Sequence, residues 1–502
     1  MATPPKPDWL VPSSLTTLIE SADHCFEGFA KTQRHFARNG ILIIVIENEH
    51  GVQLKNVTPE MFSSEIERIF SVRILVTTQS GPQIKQSLCD PKKAKLLLNS
   101  RDELINNSLP LRLLSASPVL VERNGACVVL SKGYHQDQGG LYVIRDLKIP
   151  TISLPDAVKI LTRALFADYD FVNPSDLSRA VAQVLSPAMK LGNFLPGADF
   201  PLDIGLGDQS QSGKTLRTRI TVTIYGERAY TVTVKKGGVG SLDESIASAL
   251  CSGKLFILYD NVRGDFESQY LESILRGTGS ITARLPYHEE IEIQTDRSIH
   301  QFTSNSANLT RDAVNRAIIT SFRKQPATYK AKLPLSEDFL DRLKRKQAIY
   351  LGAVHTILRE WVSQGKQRTT EKGHSFTPWV QSMDWIVTKI FGLDPLMKNH
   401  TVAQAILSDK TAGWFREVVL ASARGTFKAS DFNQTCEAHS ITIPGTQNST
   451  TEEIRNQTIG RLLSATFKKS NTVTVDQWTV TKTTEPGGHA ANYKEVNKYT
   501  IS

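Results

Sequence analysis

The sequence predicts an α/β protein with a parallel β-sheet in the middle of its 502 residues. Between about residues 200 and 330, apolar β-branched segments alternate with helix-like ones, an order typical of strand–helix–strand units. Within this interval the chain reads Gly213-Lys214-Thr215, and a later apolar segment ends in Asp260. Parallel strands bring their carboxyl ends to one edge of a sheet, so these residues are expected to lie close together.

The composition is that of a globular protein with a moderately basic balance. Hydrophobic residues make up 40% of the chain and charged residues 22%, which is ordinary for a soluble protein of roughly two to four domains. The net charge is +9 and the pI is near 9.1. This charge indicates either an anionic partner, most simply nucleic acid, or only a solvated basic surface.

Cysteine usage and the apolar runs favour a cytoplasmic protein. The five cysteines are far apart and form no CxxC or Cys/His cluster, which argues against a zinc site or a disulfide framework. The first residues lack an apolar signal core, and the apolar run 41–46 is too short to cross a bilayer. We therefore expect a cytoplasmic localisation and no membrane partner.

Changes in pattern along the chain predict five parts. They are an N-terminal α+β domain (1–150), a helical connector (151–200), the sheet-containing core (201–330), a helical region (331–430) and a winged-helix-like domain (431–502). The winged helix is expected because a helix is followed by a β-hairpin with a wide Gly-rich turn. Four tryptophans recur in or near the helical region at helical spacing and are expected in the core: Trp361, Trp379, Trp385 and Trp414.

Individual elements follow from local signals. The β-branched run 40–47 predicts a buried strand, and Thr58 with Pro59 starts a predicted helix. Asn124-Gly125 predicts a hairpin turn, and the spacing of apolar residues predicts a helix over 154–171. In the core, the predicted strands are 219–226, 230–236, 254–261, 290–296 and 300–308, and the predicted helices are 267–277 and 311–322.

The segment Asp208–Leu216 has the properties of a phosphate-binding loop. Such a loop needs small or polar residues, so that backbone N–H groups point at phosphates, and then a lysine and a Mg²⁺-binding hydroxyl. The pattern places a glycine five residues before Gly213, but Asp208 stands there and Gly207 precedes it. Asp tolerates left-handed backbone better than most residues, which permits a modified loop. The predicted ATP-binding residues are Asp208, Gln209, Ser210, Gln211, Ser212, Gly213, Lys214, Thr215 and Leu216.

The apolar strand ending in Asp260 supplies the second half of such a site. It delivers one carboxylate beside the loop, where together with Thr215 it would hold Mg²⁺. Many ATPases of this layout place a glutamate after the aspartate, whereas this chain has Asn261. An amide cannot accept a proton, although it can orient a water molecule. Glu267 is a possible substitute base.

Two later residues are candidates for roles around the γ-phosphate. Asn308, or as a second choice Asn305, lies near the end of a predicted strand and could hold the attacking water. Arg316 follows on a predicted helix and could stabilise transition-state charge in a neighbouring subunit. The alternative for Arg316 is a surface residue of an amphipathic helix.

The segments DQSQSGKT, LFILYDN and SANLTRDAVNR, in this order, resemble the AAA+ replication helicases of phages and bacterial mobile elements. These proteins are often fused to a primase or encoded beside one, and they are related to superfamily III and minichromosome maintenance helicases. The resemblance runs from about residue 110 to the end of the chain. The loop and the Asp-Asn ending carry most of it.

The resemblance implies a P-loop AAA+ core that uses ATP and Mg²⁺. It implies that Lys214 and Thr215 bind ATP and Mg²⁺, that Asp260 binds Mg²⁺, that Asn308 acts as sensor, and that Arg316 acts on a neighbour's ATP. It also implies a homo-oligomeric ring, expected to be a hexamer, on single-stranded or forked DNA. No primase pattern stands out in the N-terminal part, so a primase partner would be separately encoded.

DNA contacts are expected in the interval 276–296, where related helicases carry a pore hairpin. Arg284 and His288 could meet the phosphate backbone there, although Arg276 or Arg284 could equally serve the nucleotide. The basic run Arg342–Lys346 is expected to be a solvated helix face.

The sequence therefore predicts an ATP-dependent, ring-forming DNA translocase or helicase that replicates a phage or mobile element. A DNA-binding ATPase that acts as loader or regulator without unwinding shares every motif. A structural or defence module with a degenerate loop is a further alternative, supported by Asp208 and Asn261. A metabolic kinase is disfavoured because it has no use for Arg316 or a terminal winged helix.

Overall fold

A computed structural model describes residues 6–11, 15–48, 51–235, 240–277, 279–284, 290–295, 298–332, 338–446, 450–468, 470–486 and 496–502. In these ranges no helix is long and apolar enough to span a membrane.

The N-terminal part contains two small sheets packed around helices. Its elements are β1 (Asp8–Leu10), α1 (Leu15–Thr32), β2 (His35–Arg38), β3 (Ile41–Asn48), β4 (Gly51–Asn56), α2 (Pro59–Ile69), β5 (Ser71–Thr78), β6 (Gly81–Gln86), α3 (Pro91–Leu98) and α4 (Arg101–Asn107). The predicted strand at 40–47 is confirmed as β3, the middle strand of the β2-β3-β4 sheet. The predicted helix start is also confirmed, because Thr58 Oγ1 accepts the Met61 N–H and Pro59 opens α2.

Short strands connect this part to the rest of the chain. They are β7 (Leu113–Ser115), β8 (Val119–Arg123), β9 (Ala126–Leu130), β10 (Gly133–His135) and β11 (Leu141–Val143). The predicted turn is confirmed: Asn124 and Gly125 have φ of 51° and 78° and join β8 to β9. A helix follows, α5 (Leu154–Lys159) with a π-helical turn at Ile160–Ala164. The predicted helix over 154–171 is too long, because Asp170–Phe171 pairs with the central sheet as strand β12.

The central sheet has six strands in the order β12-β19-β13-β18-β15-β14. The strands are β13 (Leu202–Gly207), β14 (Tyr230–Thr231), β15 (Phe256–Phe266), β18 (Ile299–Leu309) and β19 (Ala317–Arg323), all parallel, with β12 antiparallel at one edge. The neighbouring helices are α6 (Pro174–Leu191), α7 (Lys214–Ile224), α8 (Leu242–Cys251), α9 (Gln269–Leu275) and α10 (Arg311–Asn315). A separate hairpin, β16 (Ser280–Arg284) with β17 (Glu290–Gln294), lies between β15 and β18 in the chain.

Two core segments differ from the sequence prediction. Residues 219–226 were expected to form a strand, but most of them belong to α7. This helix continues directly from the loop that precedes it and buries Ile220 and Ile224, so tertiary context overrides β-propensity. The predicted helix over 311–322 is confirmed only for α10, because the buried run after Arg316 is strand β19.

The C-terminal third is helical and then mixed. Its helices are α11 (Phe339–Arg345), α12 (Gln347–Ser363), α13 (Thr377–Trp385) with a π-helical turn at Ile386–Ile390, α14 (His400–Ser408), α15 (Lys410–Ala421), α16 (Ala429–Ala438) and α17 (Glu452–Thr466). A four-stranded antiparallel sheet closes the chain, in the order β20 (Gly425–Phe427), β23 (Val496–Ile501), β22 (Trp478–Glu485) and β21 (Thr472–Val475).

Separate hydrophobic cores organise these parts. The largest one joins β7–β11, α5, α6, α7, α12 and α13, so the predicted connector and part of the helical region pack on the N-terminal side of the sheet. Trp361 and Trp379 are buried in it, and Trp414 is buried in the C-terminal core with α16, α17 and the last sheet. These three tryptophans confirm their prediction as core residues, whereas Trp385 is only partly buried.

Candidate functional site

The candidate site lies at the carboxyl edge of the central sheet. Strand β18 lies between β13 and β15, and all three run parallel. This arrangement brings Gly207, the last residue of β13, close to Asp260 and Thr303, which lie in the middle of β15 and β18. The strand predicted to end at Asp260–Asn261 in fact continues to Phe266, because β15 stays paired with β18 beyond a bulge. Open α/β sheets bind their ligands at such an edge.

The chain after β13 forms a tight loop that ends at the first turn of α7. Gln211 and Gly213 adopt left-handed backbone, with φ of 66° and 92°. A Cβ on Gly213 would lie 2.9 Å from the Tyr169 ring, and the Tyr169 hydroxyl donates to the Gly213 carbonyl at 3.3 Å. The loop therefore presents the free N–H groups of the α7 N-terminus, the kind of site that binds phosphate.

The loop approaches Gly207 more closely than it approaches residue 208. A Cβ on Gly207 would lie 2.3 Å from Ser212 Oγ and 2.9 Å from Asn305 Oδ1. The loop thus returns close to the Gly207 Cα atom, and any larger residue would displace the Ser212 and Asn305 side chains and press on the Gln209 carbonyl at 3.2 Å. The glycine that the pattern requires is displaced by one position.

Asp208 connects the loop to the end of β19. Its N–H donates to the Phe322 carbonyl at 3.0 Å, and its Oδ1 accepts the Lys324 N–H at 2.9 Å. Burial raises the pKa of the Asp208 carboxyl, and the N–H groups of Lys324 and Gln209 partly oppose this rise. Asp208 therefore fixes the start of the loop to the neighbouring strand.

Asp260 is the centre of a hydrogen-bond network. Its Oδ1 accepts the Thr215 hydroxyl at 2.9 Å and the Thr303 hydroxyl at 2.6 Å. A bulge in β15 follows Tyr259, where Asn261 has a φ of 51° and donates its N–H to Thr303 Oγ1 at 2.7 Å. Sequence reasoning missed Thr303, which fixes the orientation of the Asp260 carboxylate.

Lys214 opens α7 and is buried beside Asp260, with 6% of its surface exposed. Burial lowers the pKa of its ammonium group; Asp260 and Asp208 oppose this, and Arg263 adds to it. Within the described residues, Lys214 makes no ion pair. A desolvated ammonium at a helix N-terminus suits a phosphate ligand, and the paired oxygens of Thr215 and Asp260 suit Mg²⁺.

Arg416 of α15 reaches the loop from the C-terminal part and was also missed by sequence reasoning. Its Nη1 donates to the carbonyls of Gly207 and Asn305, each at 3.4 Å. Its Nε donates to Asp476 Oδ2 at 3.1 Å, in the turn between β21 and β22. Both side chains are nearly fully buried. No local motif marks Arg416, so only the tertiary structure reveals this contact.

Of the other predicted residues, only Asn305 contacts the start of the loop, where its Oδ1 lies against Gly207. Asn308 donates its Nδ2 to Asp265 Oδ1 at 3.0 Å, and the Oδ1 atoms of both asparagines lack a hydrogen-bond partner among the described residues. Glu267 follows β15 and lines a surface pocket together with Asp265. Leu216 packs on the large core. Arg284 is the last residue of β16, and His288 lies outside the described residues.

Arg316 lies at the opposite edge of the sheet. Its carbonyl accepts the N–H of Leu202, the first residue of β13. Its guanidinium pairs with Asp312 at 3.1 Å, and Asp312 also lies 3.7 Å from Arg276. Strand β13 separates Arg316 from the loop by about 20 Å, at roughly 3.3 Å per residue. Arg316 cannot reach the loop of its own subunit.

No protein-family model matches this chain, and neither does any curated protein. Among solved structures, JCV helicase matches with a TM-score of 0.25 and 12% identity. The match covers 51% of this chain and 64% of the JCV helicase chain. The SCCmec type IV Cch helicase matches with a TM-score of 0.33 and 11% identity over 92% of both chains. The C-terminal region of NrS-1 matches with a TM-score of 0.37 and 9% identity over 96% of this chain and 100% of that one.

These values are too low to carry an argument about function. The observed class is a mixed α/β fold with a parallel sheet and a helical C-terminal region. JCV helicase and the SCCmec type IV Cch protein are both named helicases. Any functional assignment therefore rests on the site itself.

Replacing Gly207 by alanine is expected to weaken nucleotide binding. The added methyl would collide with Ser212 and Asn305, and relief of such overpacking costs about 1–3 kcal/mol, or roughly a ten- to hundredfold loss of affinity. Titration with a fluorescent ATP analogue measures this loss. Gly460→Ala is the matched control, because nothing lies within 4 Å of a Cβ there. Unchanged binding by Gly207→Ala would contradict this account of the loop.

Proposed function

We infer that the chain is an ATP-dependent DNA translocase or helicase built on a P-loop AAA+ core. The observation that carries this inference is the junction of Lys214, Thr215 and Asp260, with Thr215 and Asp260 hydrogen bonded at 2.9 Å. A helix N-terminus, a buried lysine, a hydroxyl and a carboxylate meet at one edge of a parallel sheet. This set of groups serves phosphoryl transfer in ATPases.

Each group then has a distinct task. The loop from Asp208 to Gly213 and the N–H groups of α7 bind the phosphates, and Lys214 neutralises their developing charge. Thr215 and Asp260 hold Mg²⁺, which supplies further charge neutralisation when bound. The Asp260 carboxylate stays oriented because Thr303 donates to it.

Asn305 is a better candidate than Asn308 for positioning the attacking water. The Oδ1 atoms of both residues lack a hydrogen-bond partner among the described residues. Only that of Asn305 lies beside Gly207 at the loop, whereas Asn308 donates its Nδ2 to Asp265 farther along β15. Asn261 cannot act as a base, so water activation in this site would depend on orientation and on the charge of Lys214.

If Arg316 completes the site, the protein forms an oligomeric ring, and the resemblance to replication helicases implies a hexamer. Because Arg316 lies about 20 Å from its own loop, it can act only on the nucleotide of a neighbouring copy. Head-to-tail contacts between identical subunits that close on themselves form rings. Single-stranded or forked DNA would be the partner, met by the β16–β17 hairpin and by the C-terminal unit, which we interpret as winged-helix-like. A separately encoded primase and a cytoplasmic location remain part of this proposal.

The first test is ATP turnover by the unaltered chain, with and without oligothymidylate. The proposal requires measurable turnover that DNA stimulates. Displacement of a labelled strand from a forked duplex then separates a helicase from a loader or regulator, which would hydrolyse ATP without displacing the strand. Nucleotide binding without turnover would instead favour a module with a degenerate site.

Mixing two inactive variants tests the shared site. Lys214→Ala and Arg316→Ala are each expected to be nearly inactive alone. In an equimolar mixture, about a quarter of the interfaces should pair an intact Lys214 with an intact Arg316, and turnover should recover in proportion. No recovery in the mixture, although the two variants co-assemble, would contradict action of Arg316 between subunits.

A further inference from the structure

A cavity of about 430 Å³ lies at the far end of α7, away from the phosphate loop. Its walls come from the strands near β7 and β11, from the turn after α7, from the segment after α8, and from α11 and α12. Five charged side chains line it: Arg145, Glu227, Arg228, Lys254 and Lys344.

The cavity is strongly cationic. In the described part of the chain, Arg145, Arg228 and Lys254 have no carboxylate partner, while Lys344 pairs with Asp341 at 3.1 Å. Arg145 and Arg228 are exposed, and Lys254 is partly buried. Unpaired cations that line a concave surface attract anions, because the low-dielectric walls of the cavity concentrate the electrostatic field of the cations inside it.

Glu227 is the one carboxylate among the described lining residues, and its environment favours the neutral, protonated form of its side chain. Its Oε1 accepts the Ala116 N–H at 2.7 Å. Burial raises the pKa of Glu227 to about 7, against the opposing effects of the Ala116 N–H, Arg145 and Lys254. A partly protonated Glu227 repels an anion less than an ordinary glutamate would.

The surroundings favour a chain-like anion over a small one. The cavity shares Leu114, Gly253 and Lys254 with a narrower cleft that also contains Arg112 and extends to Ser298. Ser298 follows the β16–β17 hairpin and borders a third cavity, in which Lys190 lies 5.5 Å from the Phe200 ring. The Phe200 ring is partly buried. Cations in series with an accessible aromatic face are typical of surfaces that bind single-stranded nucleic acid.

We propose that this cavity binds phosphodiester groups of single-stranded DNA through Arg145, Arg228 and Lys254. The choice of DNA rests on the proposed function, whereas the anion site rests on the cavity. Helix α7 connects it to the nucleotide loop: Gln347 Nε2 donates to the Ile224 carbonyl at 3.2 Å and Ser117 Oγ donates to the Tyr225 carbonyl at 2.7 Å, which fixes the end of α7. DNA at one end of this helix and nucleotide at the other would contact the same rigid element.

The test is fluorescence anisotropy of labelled oligothymidylate with the full chain, in the absence of ATP and over a range of salt. Replacing Arg145, Arg228 and Lys254 together by glutamine should weaken DNA binding by about tenfold or more. The slope of log K against log salt concentration should become shallower by about 2, because each lost phosphate contact to a single strand contributes about 0.7. The control is Lys92→Gln, an exposed lysine of α3 outside the cavity. Far-UV circular dichroism spectra and melting temperatures that match those of the unaltered chain would show that the variants fold. The single variant Arg145→Gln replaces only an exposed residue, so it tests the cavity without risk to the fold.

Glu227→Gln tests the opposite direction. Removing one negative charge near the bound phosphates should tighten binding by up to about fivefold, the equivalent of roughly 1 kcal/mol between charges in water. If the triple variant and the unaltered chain bind DNA with equal affinity and salt dependence, the cavity proposal is overturned while the proposed function stands. If the unaltered chain binds no DNA, the proposed function fails. Loss of tripolyphosphate binding with DNA binding retained would identify a free polyphosphate as the ligand and overturn the DNA assignment.

Discussion

Replacing Lys214 by alanine is expected to lower ATP turnover by about a hundred- to a thousandfold, the cost of removing one preorganised charge from a reacting centre. The ammonium is buried at the start of α7, close enough to Asp260 and Asp208 for both to influence its pKa. In the alanine variant, the protein itself would offer the phosphates only backbone N–H groups beside the bound Mg²⁺, and their partial charges cannot replace a full cation. Steady-state turnover at saturating ATP and Mg²⁺ measures the effect.

Fold stability provides the necessary control for this variant. Lys214 has no ion pair within the described residues, so its removal strands no carboxylate and the melting temperature should not fall. Lys468→Ala, an exposed lysine after α17, should retain full turnover. Comparable activity in Lys214→Ala and Lys468→Ala would remove the reason for placing ATP at this loop.

Lowering the pH from 7 to 5 is expected to destabilise the protein by several kcal/mol. The loss is on the order of 2 kcal/mol for each of four buried histidines, and protonation of Glu227, whose pKa is raised to about 7, offsets about one of these losses. A fifth buried histidine, His35, differs because its ring lies 3.3 Å from Glu65. Burial lowers the pKa of His300 and His355 to about 3 and that of His374 to about 4, and it lowers the pKa of His400 well below its usual value. The unfolded chain therefore binds more protons below pH 6.5. The stability is fully present above that pH and is lost as the pH falls towards 3 to 4.

Hydrogen bonds explain why two of these rings stay neutral. His400 Nε2 accepts the Ile319 N–H at 3.0 Å, and His374 Nδ1 accepts the Phe376 N–H at 3.1 Å. A protonated ring cannot accept either bond. Urea unfolding at pH 7, 6 and 5 measures the loss, which is comparable to the whole stability of a typical domain.

A matched pair of variants separates these histidines from general acid effects. His355→Leu removes a ring whose Nδ1 has no partner and should make unfolding less dependent on pH. His439→Leu alters an exposed ring and should leave the dependence unchanged. Equal unfolding free energies at pH 7 and pH 5 would contradict the assignment of four neutral rings.

Local patterns were sufficient where one segment determines its own structure. The helix start at Thr58-Pro59 and the turn at Asn124 are examples, because threonine, proline and asparagine act on their own backbone. The strand predicted to end at Asp260–Asn261 begins as expected but runs on to Phe266, since its continuation depends on pairing with β18. The same rules failed for residues 219–226, where β-branched residues occupy a helix. That helix is set by its start at the loop and by the packing of its buried face.

Residues that act across strands could not be predicted. Thr303 matters because β18 lies between β13 and β15, and the sequence does not reveal the strand order. Gly207 substitutes for the expected glycine because the loop crosses it, which depends on the path of the loop rather than on a count of positions. The placement of Asn305 and Asn308 likewise depends on the pairing of β15 with β18.

The pairing of Arg416 with Asp476 has a consequence for how the molecule comes apart on heating. The two residues are 60 positions apart, and a whole C-terminal unit of helices and sheet intervenes. Separating a buried ion pair leaves an uncompensated charge that costs about 3–5 kcal/mol, and here the same guanidinium also contacts the Gly207 carbonyl. Unfolding of the last sheet would therefore also remove a contact of the loop. Calorimetry should show the C-terminal unit and the central sheet unfolding in a single cooperative transition, without earlier melting of the C-terminal unit.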